Sequence, residues 1–505
     1  MQPETSTLHR TSGILLHPTA LTGPGGIGSF SREALQFIDF LAAAGQSVWQ
    51  MLPLGPTGYG DSPYNALSAF AGNPLLIDFE QLVAAGDLPP QQNETARADD
   101  SLVDFEQVSA RKSARLLEAA NRFLARQPDD SRAIAFHVFC REQADWLDDF
   151  SLYMAIRADQ QLKPWWQWPK ALRNREQFEL DSFSRQKTDR ILTCKFQQFV
   201  FFEQWAGLRS YAKHKGVQLF GDMPIFVARD SADVWAHQQL FELDNNGQPT
   251  VVAGVPPDYF SATGQLWGNP LYRWQKHVDQ DFNWWLRRFR HQLQLFDLLR
   301  IDHFRGFAAC WAIPADHKTA EKGAWQQVPG KELFTVLNKA IPDAAIVAED
   351  LGIITPDVEA LRDSFGFPGM KILQFAFDSD ALNPYLPHNY RRRAVVYTGT
   401  HDNDTTFGWW QELSREQRKR VSCYLGKESA QMPWDLIQLA MSSVAQLCII
   451  PCQDLLALGS EARFNRPGQA ERNWTWRLTP HQLDDLLAQR LLDLTRRYNR
   501  LPNNR

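Results

Sequence analysis

The chain has very little cysteine, six residues in 505. That is too few for a disulfide scaffold, so a packed core must hold the fold. Cys448 and Cys452 lie close together, but the apolar segment between them reads as a buried strand. Free thiols in a reducing cytoplasm are expected. Long apolar runs are missing as well: no stretch approaches the ~20 residues of a membrane span. Residues 1–13 lack the apolar segment of a secretory signal, so the expected location is cytoplasmic. Positive charge is not in excess, since 53 Lys plus Arg against 58 Asp plus Glu leave −5. That balance argues against nucleic acid or an anionic membrane as partner. Repeats and low-complexity tracts are absent. Aromatics are plentiful, with 18 Trp, 32 Phe and 11 Tyr, and many cluster in Gly/Pro-rich segments.

Eight short apolar runs recur between turn residues: 13–18, 47–53, 217–224, 296–302, 345–349, 371–377, 394–398 and 447–451. Runs that do not alternate suit strands buried on both faces, as in a parallel sheet. Helical patterns lie between them. Ser31 to Ala44 places Leu35, Ile38 and Leu41 on one face, and Thr355-Pro356-Asp357 reads as a helix start. Strands alternating with helices predict an α/β fold, a closed (β/α)8 TIM barrel, with a doubly wound sheet as the structural alternative. The whole chain, 1–505, reads as one catalytic barrel domain. Residues 80–190, after the second strand, read as a mainly helical insertion, with Leu116, Leu117, Ala120, Phe123 and Leu124 at helical spacing. Residues 225–283, after the third strand, read as a long aromatic loop, and loops of that length are usually functional.

Barrel active sites lie at the C-terminal ends of the strands. Asp222 and Asp302 end the third and fourth runs, Glu349 ends the fifth, and Asp402 lies just beyond the seventh. A single Asp after a strand is usually a helix cap. Four in one register predict carboxylates converging on one mouth. Arg300 and Asp302 are two apart on a strand and share a face, so a guanidinium would keep that Asp ionised and aim it. Glu349 has an apolar approach and acidic neighbours, a setting that raises a carboxyl's pKa as a general acid requires. One ionised and one protonated carboxyl is the pair of a retaining glycosidase. Flat aromatics on Gly/Pro-rich loops, including Trp165, Trp166 and Trp168, suit stacking on sugar rings, although packing is an equal alternative for any one of them.

Other readings compete. Gly23-Pro-Gly-Gly-Ile-Gly28 matches a dinucleotide fingerprint, but the acidic residue expected after the second strand is replaced by Met51-Leu52-Pro53. A glycine loop at the barrel rim is the alternative. Asp222, Asp302, His303, His401 and Asp402 form no recognised metal spacing, and Thr406 and Phe407 break the calcium-loop pattern begun by Asp402-Asn-Asp404. Binding of sugar without catalysis needs no Arg-x-Asp together with a strand-end Glu.

Six segments carry a resemblance. They are Gly58-Tyr-Gly-Asp-Ser-Pro-Tyr64, Gly221-Asp-Met-Pro-Ile-Phe226, the stretch 256–270, Arg300-Ile-Asp-His-Phe-Arg-Gly306, Ala348-Glu-Asp-Leu-Gly352 and Gly399-Thr-His-Asp-Asn403. With them the chain closely resembles the 4-α-glucanotransferases (amylomaltases), glycoside hydrolase family 77 of the α-amylase clan. The resemblance runs from Ser12 to Arg477. It implies transfer of α-1,4-glucan segments from a maltodextrin donor to a glucose or maltodextrin acceptor, with no cofactor and no metal, by a monomer or homodimer. It implies Asp302 as nucleophile, Glu349 as acid and base, and Asp402 as the third carboxylate, with Arg300 orienting Asp302. Tyr59 would stack under the sugar, Asp222 would hold its distal hydroxyls, and His303, His401 and Asn465 would line the site. Tyr259, Phe260, Gln265 and Trp267 match the family's acceptor-side loop. Mainly hydrolytic activity, or an inactive glucan-binding barrel, are the alternatives.

Overall fold

The computed structural model describes residues 10–90, 101–257, 261–469 and 472–502. Its strands in chain order are β1 (Thr11–Leu15), β2 (Val48–Gln50), β3 (Gln218–Pro224), β4 (Val251–Val255), β5 (Gln265–Pro270) and β6 (Leu298–Asp302). They continue with β7 (Ala309–Pro314), β8 (Ala324–Gln327), β9 (Ile346–Ala348), β10 (Gly369–Ile372), β11 (Ala394–Tyr397) and β12 (Leu447–Pro451). Eight of them form one sheet in the order β10-β11-β12-β1-β2-β3-β6-β9, with every neighbouring pair parallel. The two edges meet where Ala348 N–H donates to the Pro368 carbonyl at 2.9 Å, so the sheet curls into the expected barrel. The interior is filled rather than hollow: Ile14, Val48, Trp49, Leu219, Phe220, Leu299, Val347, Val396 and Ile449 are fully buried.

The eight runs match the eight barrel strands, with shifted ends. The sixth departs most: its strand is Gly369–Ile372, and Leu373–Phe375 turns into a 3-10 segment. The helix after β1 spans Arg32–Ala43 and buries Ile38 and Leu41. Helices Phe105–Leu124, Ser131–Glu142, Ala144–Asp159 and Gln177–Gln186 occupy the stretch between β2 and β3. Thr188–His214 follows them and runs on into the barrel's outer layer. Leu116, Ala120 and Phe123 are buried, as their spacing predicts, but Leu117 is half exposed because it falls on the solvent side of that helix.

The aromatic stretch 225–283 is not one long loop. It contributes β4 and β5 to a four-stranded antiparallel sheet, β5-β4-β7-β8, standing over the barrel mouth. Short strands such as Val251–Val255, edged by Gly and Pro, carry too little pattern to be told from loop.

At the opposite end of the barrel a buried Arg500 gathers carbonyls. It donates to Thr11 at 2.8 Å, Met441 at 2.7 Å, Ser443 at 3.2 Å and Ala445 at 3.0 Å. Burial lowers its pKa to about 10, so it stays cationic at neutral pH. It ties the start of β1 to the end of the helix Trp434–Ser442 and to the chain's last turn. Replacing it removes one donor from these buried carbonyls, three of which Arg10 also reaches, so Arg500→Met should cost about 2 kcal/mol. The expected result is a lower urea midpoint. An unchanged midpoint would contradict this account.

Candidate active site

The four carboxylates do converge at the C-terminal mouth. Asp222 projects from β3 and Asp302 from the end of β6, and the register pairs Asp222 with Arg300. The Arg300 guanidinium lies between the two acids. Its Nη1 reaches both Asp222 oxygens at 2.8 Å, and its Nη2 reaches Asp302 Oδ1 at 2.9 Å. Burial disfavours the charge on Arg300, but Asp222 and Asp302 outweigh it and hold the guanidinium protonated. Burial pushes the Asp222 carboxyl up, against the pull of Arg300. The shared face inferred from the Arg-x-Asp spacing is therefore observed.

Glu349 follows β9. Its Oε2 accepts the His303 N–H at 2.6 Å, and its Oε1 accepts the Leu351 N–H at 2.9 Å. His303 takes a left-handed backbone, φ 52°, which aims that amide across the mouth. Burial pushes the Glu349 carboxyl up to about 8, with Arg300 opposing and Asp302 adding to the rise. At neutral pH this group is mostly protonated. A carboxylate joined to a guanidinium, with a second carboxyl pushed up by burial beside it, is the pairing that retaining glycosidase chemistry requires.

Asp402 lies in the loop after β11. Asn465 Nδ2 donates to its Oδ1 at 2.6 Å, and His401 Nε2 is 3.4 Å from the same oxygen. Arg463 Nη2 donates to the Asp402 carbonyl at 2.7 Å, a contact that no motif in the chain signals. The loop itself is anchored by Asp454, which accepts the Thr398 and Thr406 hydroxyls at 2.5 and 2.6 Å.

The aromatic at these carboxylates is Tyr64. Its hydroxyl donates to Asp222 Oδ2 at 2.7 Å, and its ring stacks on His401 with centroids 5.1 Å apart and planes 15° apart. Tyr59, five residues earlier in the same motif, is 84% exposed and does not join them. The two tyrosines flank a turn, and only the return of the chain toward β3 decides which ring enters the mouth. Trp267, on β5, meets the His303 ring edge-on at 4.7 Å and donates to Gln265 Oε1 at 3.1 Å. Burial lowers the His303 pKa to about 4, so that ring is neutral. Tyr259 and Phe260 lie outside the described residues. Two recesses adjoin the centre. One is lined by His17, His401, Asn403 and Phe464, and the other by Tyr64, Asp222 and Phe226.

Other candidates take structural places. Trp165 and Trp168 are buried, donating to the Arg229 and Lys163 carbonyls at 2.8 Å, and Trp166 carries the Arg229 guanidinium 3.8 Å above its ring. In the 23–28 glycine loop the Gly23 and Gly25 carbonyls accept from Arg477 and Arg111. A phosphate cradle needs inward N–H groups instead. A side chain at Gly28 would overlap the Pro18 carbonyl, which accounts for that glycine. Among the described residues no three His, Cys, Asp or Glu are grouped to hold a metal ion. All six cysteines are free, and no helix among the described residues is long and apolar enough to cross a membrane.

Comparison with known proteins gives the same picture. The profile of the glycoside hydrolase 77 family, described as 4-alpha-glucanotransferase, matches residues 16–483. A 4-alpha-glucanotransferase of Synechocystis is 51% identical over 97% of this chain and 98% of its own length. That of Thermus thermophilus is 48% identical over 98% of this chain and 100% of its own length. The amylomaltase of Streptococcus agalactiae, solved in complex with acarbose, superposes with a TM-score of 0.93 at 38% identity, covering 98% of this chain and 100% of that one. With the same fold, and a family profile spanning residues 16–483, the chain belongs to the 4-alpha-glucanotransferase family.

Proposed function

We propose that glucan transfer runs here by double displacement, with Asp302 as nucleophile and Glu349 as acid and base. The Asp302 carboxylate attacks C1 of the donor sugar as the C1–O4 bond breaks, and Glu349 gives its proton to the departing O4. The covalent glucosyl ester then waits. An acceptor's 4-hydroxyl loses its proton to Glu349 and attacks C1, and the ester bond to Asp302 breaks. Two inversions retain the α configuration. Arg300 holds and aims the Asp302 carboxylate. Asp402, steadied by Asn465, and Asp222 are the partners for ring hydroxyls, whose hydrogen bonds strengthen as charge builds at C1. Tyr64, rather than Tyr59, supplies the stacking ring, and Trp267 with Gln265 flanks the acceptor side. Donor and acceptor are maltodextrins or glucose, and no step needs an organic cofactor or a Lewis acid. Unpaired thiols support a cytoplasmic location. The observation that carries this reading is the Arg300 guanidinium joined to Asp302 at 2.9 Å beside a Glu349 carboxyl pushed up to about 8.

Five outcomes test it. Incubated with pure maltotriose in EDTA, the enzyme should yield glucose and a ladder of longer maltodextrins at constant total reducing ends. Rising reducing ends without a ladder would mean hydrolysis, and no product would mean binding alone. Asp302→Asn should lower turnover by at least roughly a thousandfold while maltodextrin binding persists. The acid must be protonated, so activity should hold below pH 8 and fall as pH rises through about 8, the value to which Glu349 is pushed. Glu349→Gln should be slow with maltotriose yet regain rate with α-maltosyl fluoride and azide, a pair that needs neither acid nor base. Tyr64→Ala should cost roughly a hundredfold in kcat/KM for maltotriose, and Tyr59→Ala under about threefold. The reverse order would restore Tyr59 as the stacking ring.

A further inference from the structure

Every neighbouring strand pair in the barrel is joined by a ladder except the pair at the closure. β9 and β10 are the sheet's edges, bridged by the bond from Ala348 N–H to the Pro368 carbonyl. Two residues farther along, a side chain does what a backbone carbonyl does elsewhere. Asp350 Oδ1 accepts the Met370 N–H of β10 at 2.7 Å, and its Oδ2 takes Arg362 Nη1 from the helix Pro356–Ser364. Asp350 is buried, and its side chain bonds Met370 and Arg362 rather than a group assigned to the reaction. Gly369 makes room for it: a Cβ there would overlap the Asp350 carboxylate.

Asp350 directly follows Glu349. The other side of Glu349 is pinned to β6, where its N–H donates to the Ile301 carbonyl at 3.0 Å and its carbonyl accepts the Phe304 N–H at 3.1 Å. Glu349 thus projects from a backbone held to β6 at one residue and to β10 at the next. We propose that Asp350 is a positioning residue for the acid–base step: by closing the β9–β10 seam it fixes the backbone that holds the Glu349 carboxyl against the His303 and Leu351 amides. An ion pair inside a seam that a plain ladder could close is costly to bury. Its use at this one junction, adjoining Glu349, fits a need for exact placement rather than for cohesion. Misplacement of a reacting group by about 1 Å costs on the order of a hundredfold in rate. The proposal rests on Glu349 being the acid and base.

The charged and titratable groups facing Glu349 are Arg300 and Asp302 from β6 and Tyr385. Those facing Asp350 are Arg362, Lys371 of β10 and Tyr385. The experiment uses the full-length enzyme with Asp350→Ala and, as a change that leaves Asp350 itself in place, Gly369→Ala. With maltotriose, both displacements need Glu349, and kcat should fall at least about tenfold with KM within about twofold. With α-maltosyl fluoride as donor and azide as acceptor, fluoride leaves without a proton and azide attacks without a base. There both variants should stay within about threefold of wild type. The alkaline limb should also move to lower pH, as water reaches Glu349. Arg362→Gln, which leaves the Met370 bond in place, should lose less than Asp350→Ala. Equal losses with both substrate pairs would mean general unfolding, and an unchanged kcat with maltotriose would mean no positioning role. Either overturns the proposal. If Glu349→Gln is not itself rescued by fluoride and azide, the acid–base reading of Glu349 has failed, and this proposal fails with it.

Discussion

The centre depends on one buried cation. Arg300 stands where β3 and β6 present acids to the same space, and its two nitrogens reach Asp222 and Asp302 at once. Without it, two carboxylates in a poorly solvated mouth would repel each other and take up protons. With it, the Asp302 carboxylate is held and aimed, while Glu349, whose oxygens take backbone amides instead, is pushed up by its burial against the pull of the same guanidinium. The different settings of two nearby acids follow from what each one's oxygens bond, a guanidinium for Asp302 and backbone amides for Glu349.

The rest of the mouth serves to keep that arrangement in place. Parallel strands deliver Asp222, Asp302, Glu349 and Asp402 to one end because every strand's C-terminus faces the same way. The loop carrying Asp402 is moored by Asp454 through two threonine hydroxyls. Tyr64 links Asp222 to His401, so the β3 side and the β11 side are coupled through one ring. The antiparallel sheet over the mouth brings Trp267 to His303, giving the pocket an aromatic wall. At the other end, Arg500 does for stability what Arg300 does for chemistry, satisfying many acceptors with one side chain.

Much of this architecture is legible in the amino-acid sequence. The apolar runs mark the eight barrel strands, and the carboxylates behind them mark the mouth. The Arg-x-Asp spacing implies the shared face that Arg300 and Asp302 show. Where the sequence misleads, the causes are physical. β4 and β8 are short, and Ala324–Gln327 is polar and exposed, so their pairing comes from neighbours rather than from their own pattern. For Trp165 and Trp168 the sequence leaves packing and sugar stacking open; their indole N–H groups find buried carbonyls and the rings become core. Asp350 is visible in the sequence only as part of a motif, because its partners Arg362 and Met370 lie across a closure that no local pattern records.

By itself, then, the sequence determined the barrel, the end of it that is active, and the acids that stand there, since these follow from period, burial pattern and position along a strand. The family motifs added the reaction. Tertiary structure alone decided which tyrosine enters the mouth and how the barrel closes. Tyr59 and Tyr64 share one motif, and β9 and β10 read like any other strands; what separates the tyrosines and joins the strands is the path of the chain. Those are properties of groups distant in sequence brought within hydrogen-bonding distance, and no stretch of the chain contains them.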